Sequence, residues 1–121
     1  MRILVVDDSS TMRKIIANTL KKIGCEDIVE AGNGAEGLQQ LGGGGIDFIV
    51  TDWNMPVMNG LEFVRELRGL QASAKLPVLM VTTNAESTDI AGAKEAGVND
   101  YVVKPFTAET LKEKMSALLT K

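Results

Sequence analysis

The chain has 121 residues, 45% of them hydrophobic, with a net charge of −3 and a pI near 4.9. That length suits one domain around one core, and the acidic balance argues against a nucleic-acid surface. No apolar run approaches the roughly 18 residues a membrane span needs, the start Met1-Arg2-Ile3-Leu4 lacks a signal pattern, and a lone Cys25 points to a reducing compartment. A cytoplasmic monomer with no membrane segment is expected. Histidine is absent, which removes Ser/His and Cys/His nucleophile pairs and imidazole metal ligands.

Arg2-Ile3-Leu4-Val5-Val6 reads as a buried strand that stops at Asp7-Asp8. Ser9 and Ser10 are N-cap candidates for a helix in which Met12, Ile15, Ile16, Leu20 and Ile23 recur at helical spacing, with Arg13, Lys14, Lys21 and Lys22 on other faces. Gly24 is its stop. Cys25, next to it, reads as a small half-buried residue. Asp27 to Ala31 is a second strand, Gly32-Asn33-Gly34 a turn, and Ala35 to Leu41 a weak helix. Gly42 to Gly45 reads as a flexible surface connection, because a phosphate-cradling loop would need its glycines after a strand and before a helix.

The third strand, Ile46 to Asp52, runs straight into a loop punctuated by Pro56 and Gly60. Leu61, Phe63, Val64, Leu67 and Leu70 mark a third helix, and Pro77 to Val81 a fourth strand ending at Thr82-Thr83. A fourth helix, about Glu86 to Ala96, has a thin apolar face of Ile90, Ala91, Ala93 and Ala96, and is a candidate for movement. Asn99 to Val103 is the fifth strand, followed by Lys104-Pro105-Phe106. The last helix begins at Thr107 or Thr110 and turns Leu111, Met115, Leu118 and Leu119 to the core. Five strands alternating with five helices demand a doubly wound α/β fold: a parallel sheet covered on both faces.

In such sheets chemistry gathers at the carboxyl ends of the strands. Asp7 and Asp8 end the first strand, Asp52 the third, Thr82 the fourth, and Lys104 the fifth. Taken singly, each has an ordinary explanation as a cap, a β-favouring residue or half of an ion pair. Together they make an acidic cluster of formal charge −2 that calls for a hard divalent cation such as Mg²⁺. With that ion the cluster fits phosphoryl transfer: Asp52 is the nucleophile, and Thr82 and Lys104 hold the remaining phosphoryl oxygens.

Asp7-Asp8-Ser9-Ser10-Thr11-Met12-Arg13, Asp52-Trp53-Asn54-Met55-Pro56, Val81-Thr82 and Tyr101-Val102-Val103-Lys104-Pro105-Phe106 resemble response-regulator receiver domains, above all those of chemotaxis, over the whole chain. The resemblance implies a flavodoxin-like sheet of strand order 2-1-3-4-5. It implies a phosphoryl group accepted on Asp52 from a phosphohistidine of a chemotaxis-type histidine kinase. Mg²⁺ would be held by Asp8, Asp52 and the backbone carbonyl of Asn54, with Asp7 acting through water. Thr82 and Tyr101 would form the switch, the Lys104-Pro105 bond would be cis, and Ile90, Tyr101, Val103 and Lys114 would contact the flagellar motor switch protein.

Residues 1–121 are thus expected to form a single receiver domain with no output domain: a phosphoacceptor switch limited to its own phosphorylation and autodephosphorylation. Thr83, where many receivers carry a smaller residue, and Asn54 and Asn84, placed to influence attack by water, leave the lifetime of the phosphorylated state open. A dedicated phosphatase is likewise left open. The runner-up is a stand-alone phosphorelay receiver outside chemotaxis. A Mg²⁺-dependent aspartyl-phosphate phosphohydrolase would want a second Asp where Asn54 stands, as well as a cap domain. A flavin module of the same fold class would find its phosphate repelled by Asp7-Asp8.

Overall fold

The computed structural model describes residues 2–52, 60–70, 75–82, 92, 94–103 and 106–119. β1 (Arg2–Val6), α1 (Ser10–Lys22), β2 (Asp27–Ala31), α2 (Gly34–Gly42), β3 (Phe48–Asp52), α3 (Gly60–Arg68), β4 (Val78–Thr82), β5 (Asp100–Val103) and a C-terminal helix (Ala108–Leu119) follow in that order. Residues 94–96 are also helical and end a further helix between β4 and β5, bringing the helices to five. Residues 83–91 and 93, Ile90 among them, lie outside the described residues, and so does the predicted mobility of the fourth helix.

All strand pairings are parallel, in the order β2-β1-β3-β4-β5. Every residue of β3 and β4 is buried, whereas the edge strands β2 and β5 are only partly covered. This is the pattern of a sheet with helices on both faces, where continuous Val/Ile runs take the middle. Alternation along the strands divides the core. Leu4, Val6, Ile49, Val78 and Met80 face α2 and α3, meeting Leu41, Phe63, Val64 and Leu67. Ile3, Val5, Phe48, Val50, Leu79 and Val81 face α1 and the C-terminal helix, meeting Ile16, Leu20, Leu111 and Met115. Cys25 is half-buried against this second layer, as expected.

Three apolar residues assigned to core stripes depart from them. Ile15 is 49% exposed, Leu119 42% and Leu70 37%. The buried stripe of α1 is centred on Ile16, Ala17 and Leu20, and Ile15 stands about 100° from Ile16 on a 3.6-residue helix. Leu119 is displaced in the same way from the Leu111, Met115 and Leu118 stripe. Leu70 follows the end of α3 at Arg68.

The glycine run also differs from the expectation of a loose connection. Gly42 closes α2 and Gly43 caps it, with the Gly43 N–H donating to the Gln40 carbonyl at 3.2 Å and the Gly44 N–H to the Leu41 carbonyl at 3.0 Å. Gly44 and Gly45 then take φ of 76° and 83°, a left-handed path that side chains disfavour. The run is a helix stop that turns the chain toward β3.

Candidate functional site

The carboxyl edge of the sheet is built by register. Val6 pairs with Thr51, so Asp7 and Asp52 come level as the next residues of neighbouring strands. Asp52 in turn pairs with Val81, which places Thr82 one residue further out, and Thr82 pairs with Val103. Asp7 (1% exposed), Asp52 (7%) and Thr82 (4%) are buried polar groups at these strand ends, with Thr51 buried beside Asp52, while Asp8 is exposed. One carboxylate oxygen from each of Asp7, Asp8 and Asp52 lies within 4.8 Å of the other two. The predicted acidic cluster therefore exists. Asn54 and Lys104, expected to complete it, lie outside the described residues, as do Trp53, Thr83, Asn84 and the Lys104-Pro105 bond.

The turn after β1 is tightly specified. The Asp7 N–H donates to the Ala31 carbonyl at 3.1 Å, and Asp7 Oδ1 accepts from the Ser9 N–H at 2.9 Å. Ser9 is the N-cap of α1, its Oγ accepting from the Met12 N–H at 3.2 Å. These bonds hold Asp7 and Asp8 over the end of the sheet. The sequence places Arg13 off the apolar stripe of α1; in the fold it returns to this turn. Its Nη1 donates to the Asp7 carbonyl at 2.6 Å, and its Nε donates to Glu30 Oε1, at the end of β2, at 3.2 Å. The signal was available in part, since Arg13 lies one helical turn beyond the Ser9 cap, but only the pairing of β1 with β2 brings Glu30 to it.

Three like charges this close repel. At 4.8 Å each pair costs roughly 3–4 kcal/mol at an effective dielectric of about 20, less where exposed Asp8 is screened. A cluster of hard oxygen donors, in a chain without histidine, suits Mg²⁺ better than zinc or another soft ion. The donor set fits the ion.

The second predicted surface is partly described. Tyr101 is half-buried against the α2/α3 core layer, and the Lys114 ammonium lies 5.5 Å from its ring centroid. Lys114 Nζ also contacts Asp100 Oδ2 at 3.3 Å. Val103 is 39% exposed. Tyr101, Val103, Phe106 and Lys114 line part of a groove of about 320 Å³ between β5 and the C-terminal helix. Ile90 lies outside the described residues. The two regions meet where Val103 is the register partner of Thr82.

Residues 3–116 match the response regulator receiver domain family. This chain belongs to that family. Receivers are phosphoacceptor switches of two-component signalling, which accords with the carboxylate cluster. The receiver is 47% identical over 120 residues to the chemotaxis protein CheY1 of Helicobacter pylori, covering 98% of this chain and 97% of that protein. It is 51% identical over 118 residues to the chemotaxis protein CheY of Pseudomonas aeruginosa, covering 98% and 95%. Among solved structures it resembles the chemotaxis protein CheY4 of Vibrio cholerae (TM-score 0.91, 34% identity, 97% of each chain). It also resembles the receiver domain of a Pseudomonas aeruginosa sensor histidine kinase (TM-score 0.90, 26% identity, 99% and 98% of the two chains), in which a magnesium ion is coordinated in the active-site cleft. No helix among the described residues is long and apolar enough to cross a membrane.

Proposed function

We propose that this receiver accepts a phosphoryl group on Asp52 from a chemotaxis-type histidine kinase and thereby changes its affinity for the flagellar motor switch protein. The convergence of Asp7, Asp8 and Asp52 within 4.8 Å is the observation that carries the reading. Relatives at 47–51% identity named as chemotaxis proteins favour this output over a phosphorelay outside chemotaxis. The protein works as a cytoplasmic monomer.

Asp52 is delivered by a fully buried strand and is itself 7% exposed, so its carboxylate is held in place and shielded from most water. An Asp52 oxygen forms a bond to phosphorus as the P–N bond of the donor phosphohistidine breaks. The electron pair leaves with the imidazole nitrogen, which regains a proton. Asp8, Asp52 and the Asn54 carbonyl would hold Mg²⁺, with Asp7 acting through water, and the ion would supply charge neutralisation among the crowded oxygens. Thr82, buried one residue beyond the level of Asp52, donates its hydroxyl to a phosphoryl oxygen, and Lys104 neutralises another.

The output face is formed by Ile90, Tyr101, Val103 and Lys114. Because Thr82 and Val103 are register partners, a shift of Thr82 toward the phosphoryl group is felt directly by the strand that carries Tyr101. A change from about 1% to 99% active needs roughly 5.5 kcal/mol of differential stabilisation.

The test is labelling by a small phosphodonor in Mg²⁺ buffer, followed by binding to the purified motor switch protein. Label is expected on Asp52 alone, and affinity for the partner rises with it. Label that survives Asp52→Ala reassigns the acceptor. Normal labelling with no gain in partner affinity transfers the protein to the phosphorelay reading.

A further inference from the structure

Arg13 reaches back from α1 to the backbone that carries the acidic pair. Its two contacts lie on different segments, the turn after β1 and β2: Nη1 donates to the Asp7 carbonyl at 2.6 Å, and Nε donates to Glu30 Oε1 at 3.2 Å. The side chain is only 19% exposed and that of Glu30 43%, so the guanidinium lies along the protein surface instead of projecting into water. Gly32 lies beside it: a Cβ there would stand in ordinary contact with Arg13 Nη1 at 3.5 Å and close to Glu36 Oε2 at 3.3 Å. Glu36 is itself fixed at the start of α2, where its N–H donates to Asn33 Oδ1 at 2.9 Å. The guanidinium thus spans from Glu30 in β2 to the turn after β1.

We propose that Arg13 is a positioning residue for the cation site, acting through the Asp7 carbonyl with Glu30 as its anchor. This rests on the reading of Asp7, Asp8 and Asp52 as a Mg²⁺ cluster. Arg13 grips a carbonyl, and its forked guanidinium can hold that oxygen and the Glu30 carboxylate at once; a lysine ammonium, a point charge on a flexible stem, cannot fix both directions. Holding the Asp7 carbonyl fixes the peptide between Asp7 and Asp8, and so sets where both carboxylates stand relative to Asp52. The Ser9 N–H bond to Asp7 Oδ1 orients the side chain locally, and the Asp7 N–H bond to the Ala31 carbonyl ties the nitrogen side of the residue to β2; the Arg13 bridge ties its carbonyl side to the same strand.

Charge and position predict opposite signs, which makes the proposal testable. A positive group near a cation site weakens cation binding, so if Arg13 acted only as a charge, Arg13→Gln would tighten Mg²⁺. If it acts by position, Arg13→Gln loosens Mg²⁺ by about tenfold, the lower end of what lost outer supports cost a metal site. The measurement is Mg²⁺ affinity by calorimetry on the whole chain, for wild type, Arg13→Gln, Arg13→Lys and Glu30→Gln, with melting temperature as a check on folding.

The expected order is wild type tightest, Glu30→Gln intermediate, and Arg13→Lys nearly as weak as Arg13→Gln. Mg²⁺ binding by Arg13→Gln that equals or exceeds wild type, or full rescue by lysine, overturns the proposal while leaving the cluster intact. Failure of the wild type to bind Mg²⁺ overturns the cluster and the proposal with it.

Discussion

Asp52 combines two demands that ordinarily exclude each other. It is 7% exposed at the end of an apolar strand, and one of its oxygens lies within 4.8 Å of two other carboxylate oxygens. Burial weakens hydration and proximity adds repulsion, so the metal-free protein holds strain at its functional edge. Asp52→Asn keeps the shape and removes one charge. In chelator it is expected to raise unfolding free energy by about 1–2 kcal/mol, after discounting for the solvent around Asp8, read as a higher urea midpoint. Millimolar Mg²⁺ should raise the melting temperature of the wild type and move the variant much less. Equal shifts in the two proteins would mean that the ion binds elsewhere.

At the scale of elements, helix faces and close approaches carry the stability. Ile15 and Ile16 are neighbours in α1, yet Ile15 is 49% exposed and Ile16 fully buried between the sheet and the C-terminal helix. Ile16→Ala is expected to cost about 2–5 kcal/mol and Ile15→Ala under about 0.5 kcal/mol, measured by chemical denaturation. Similar losses from both would place the α1 stripe wrongly. Gly37 poses the opposite problem. A Cβ there would come within 2.8 Å of Phe63 Cε1 and 3.1 Å of Val6 Cγ2, so α2 reaches α3 and β1 only because this position is bare. Gly37→Ala should therefore destabilise by about 1–3 kcal/mol despite alanine's better helix propensity; a stabilised variant would show that α2 packs less closely.

Across the whole molecule, stability and chemistry occupy opposite ends of the sheet. Away from the acidic cluster, Arg68 at the end of α3 donates to the carbonyls of Gly97 (2.6 Å) and Leu76 (2.7 Å) and to Asn99 Oδ1 (2.9 Å). Asn99 Oδ1 also accepts from the Val78 N–H at 2.8 Å, so one guanidinium ties α3 to the beginnings of β4 and β5. Burial lowers the pKa of this guanidinium, but it remains charged at any pH where the protein would be studied. Gly97 makes room for it, at φ 116° and with a Cβ position 2.9 Å from Arg68 Cγ. Arg68→Met is expected to cost about 2 kcal/mol or more through stranded acceptors, with Mg²⁺ affinity unchanged. A variant that loses both together would join the two ends in a way the contacts do not predict.

The sequence by itself determined the strand runs, the alternation with helices and the identities at the strand ends. Each of these is a local signal: a buried parallel strand is a short Val/Ile run, and a polar residue closing such a run is visible without knowing its neighbours. Asp7, Asp52 and Thr82 were legible for that reason, and the Ser9 cap and the Gly24 stop likewise. What only the tertiary structure decided are the relations across distant segments. Register brought Asp7 level with Asp52, β2 brought Glu30 to Arg13, and the bare Gly37 let α2 close on Phe63. The turn of each helix about its own axis removed Ile15 and Leu119 from the core. Periodicity states which residues share a stripe, but the width and centre of that stripe are set by whatever packs against it.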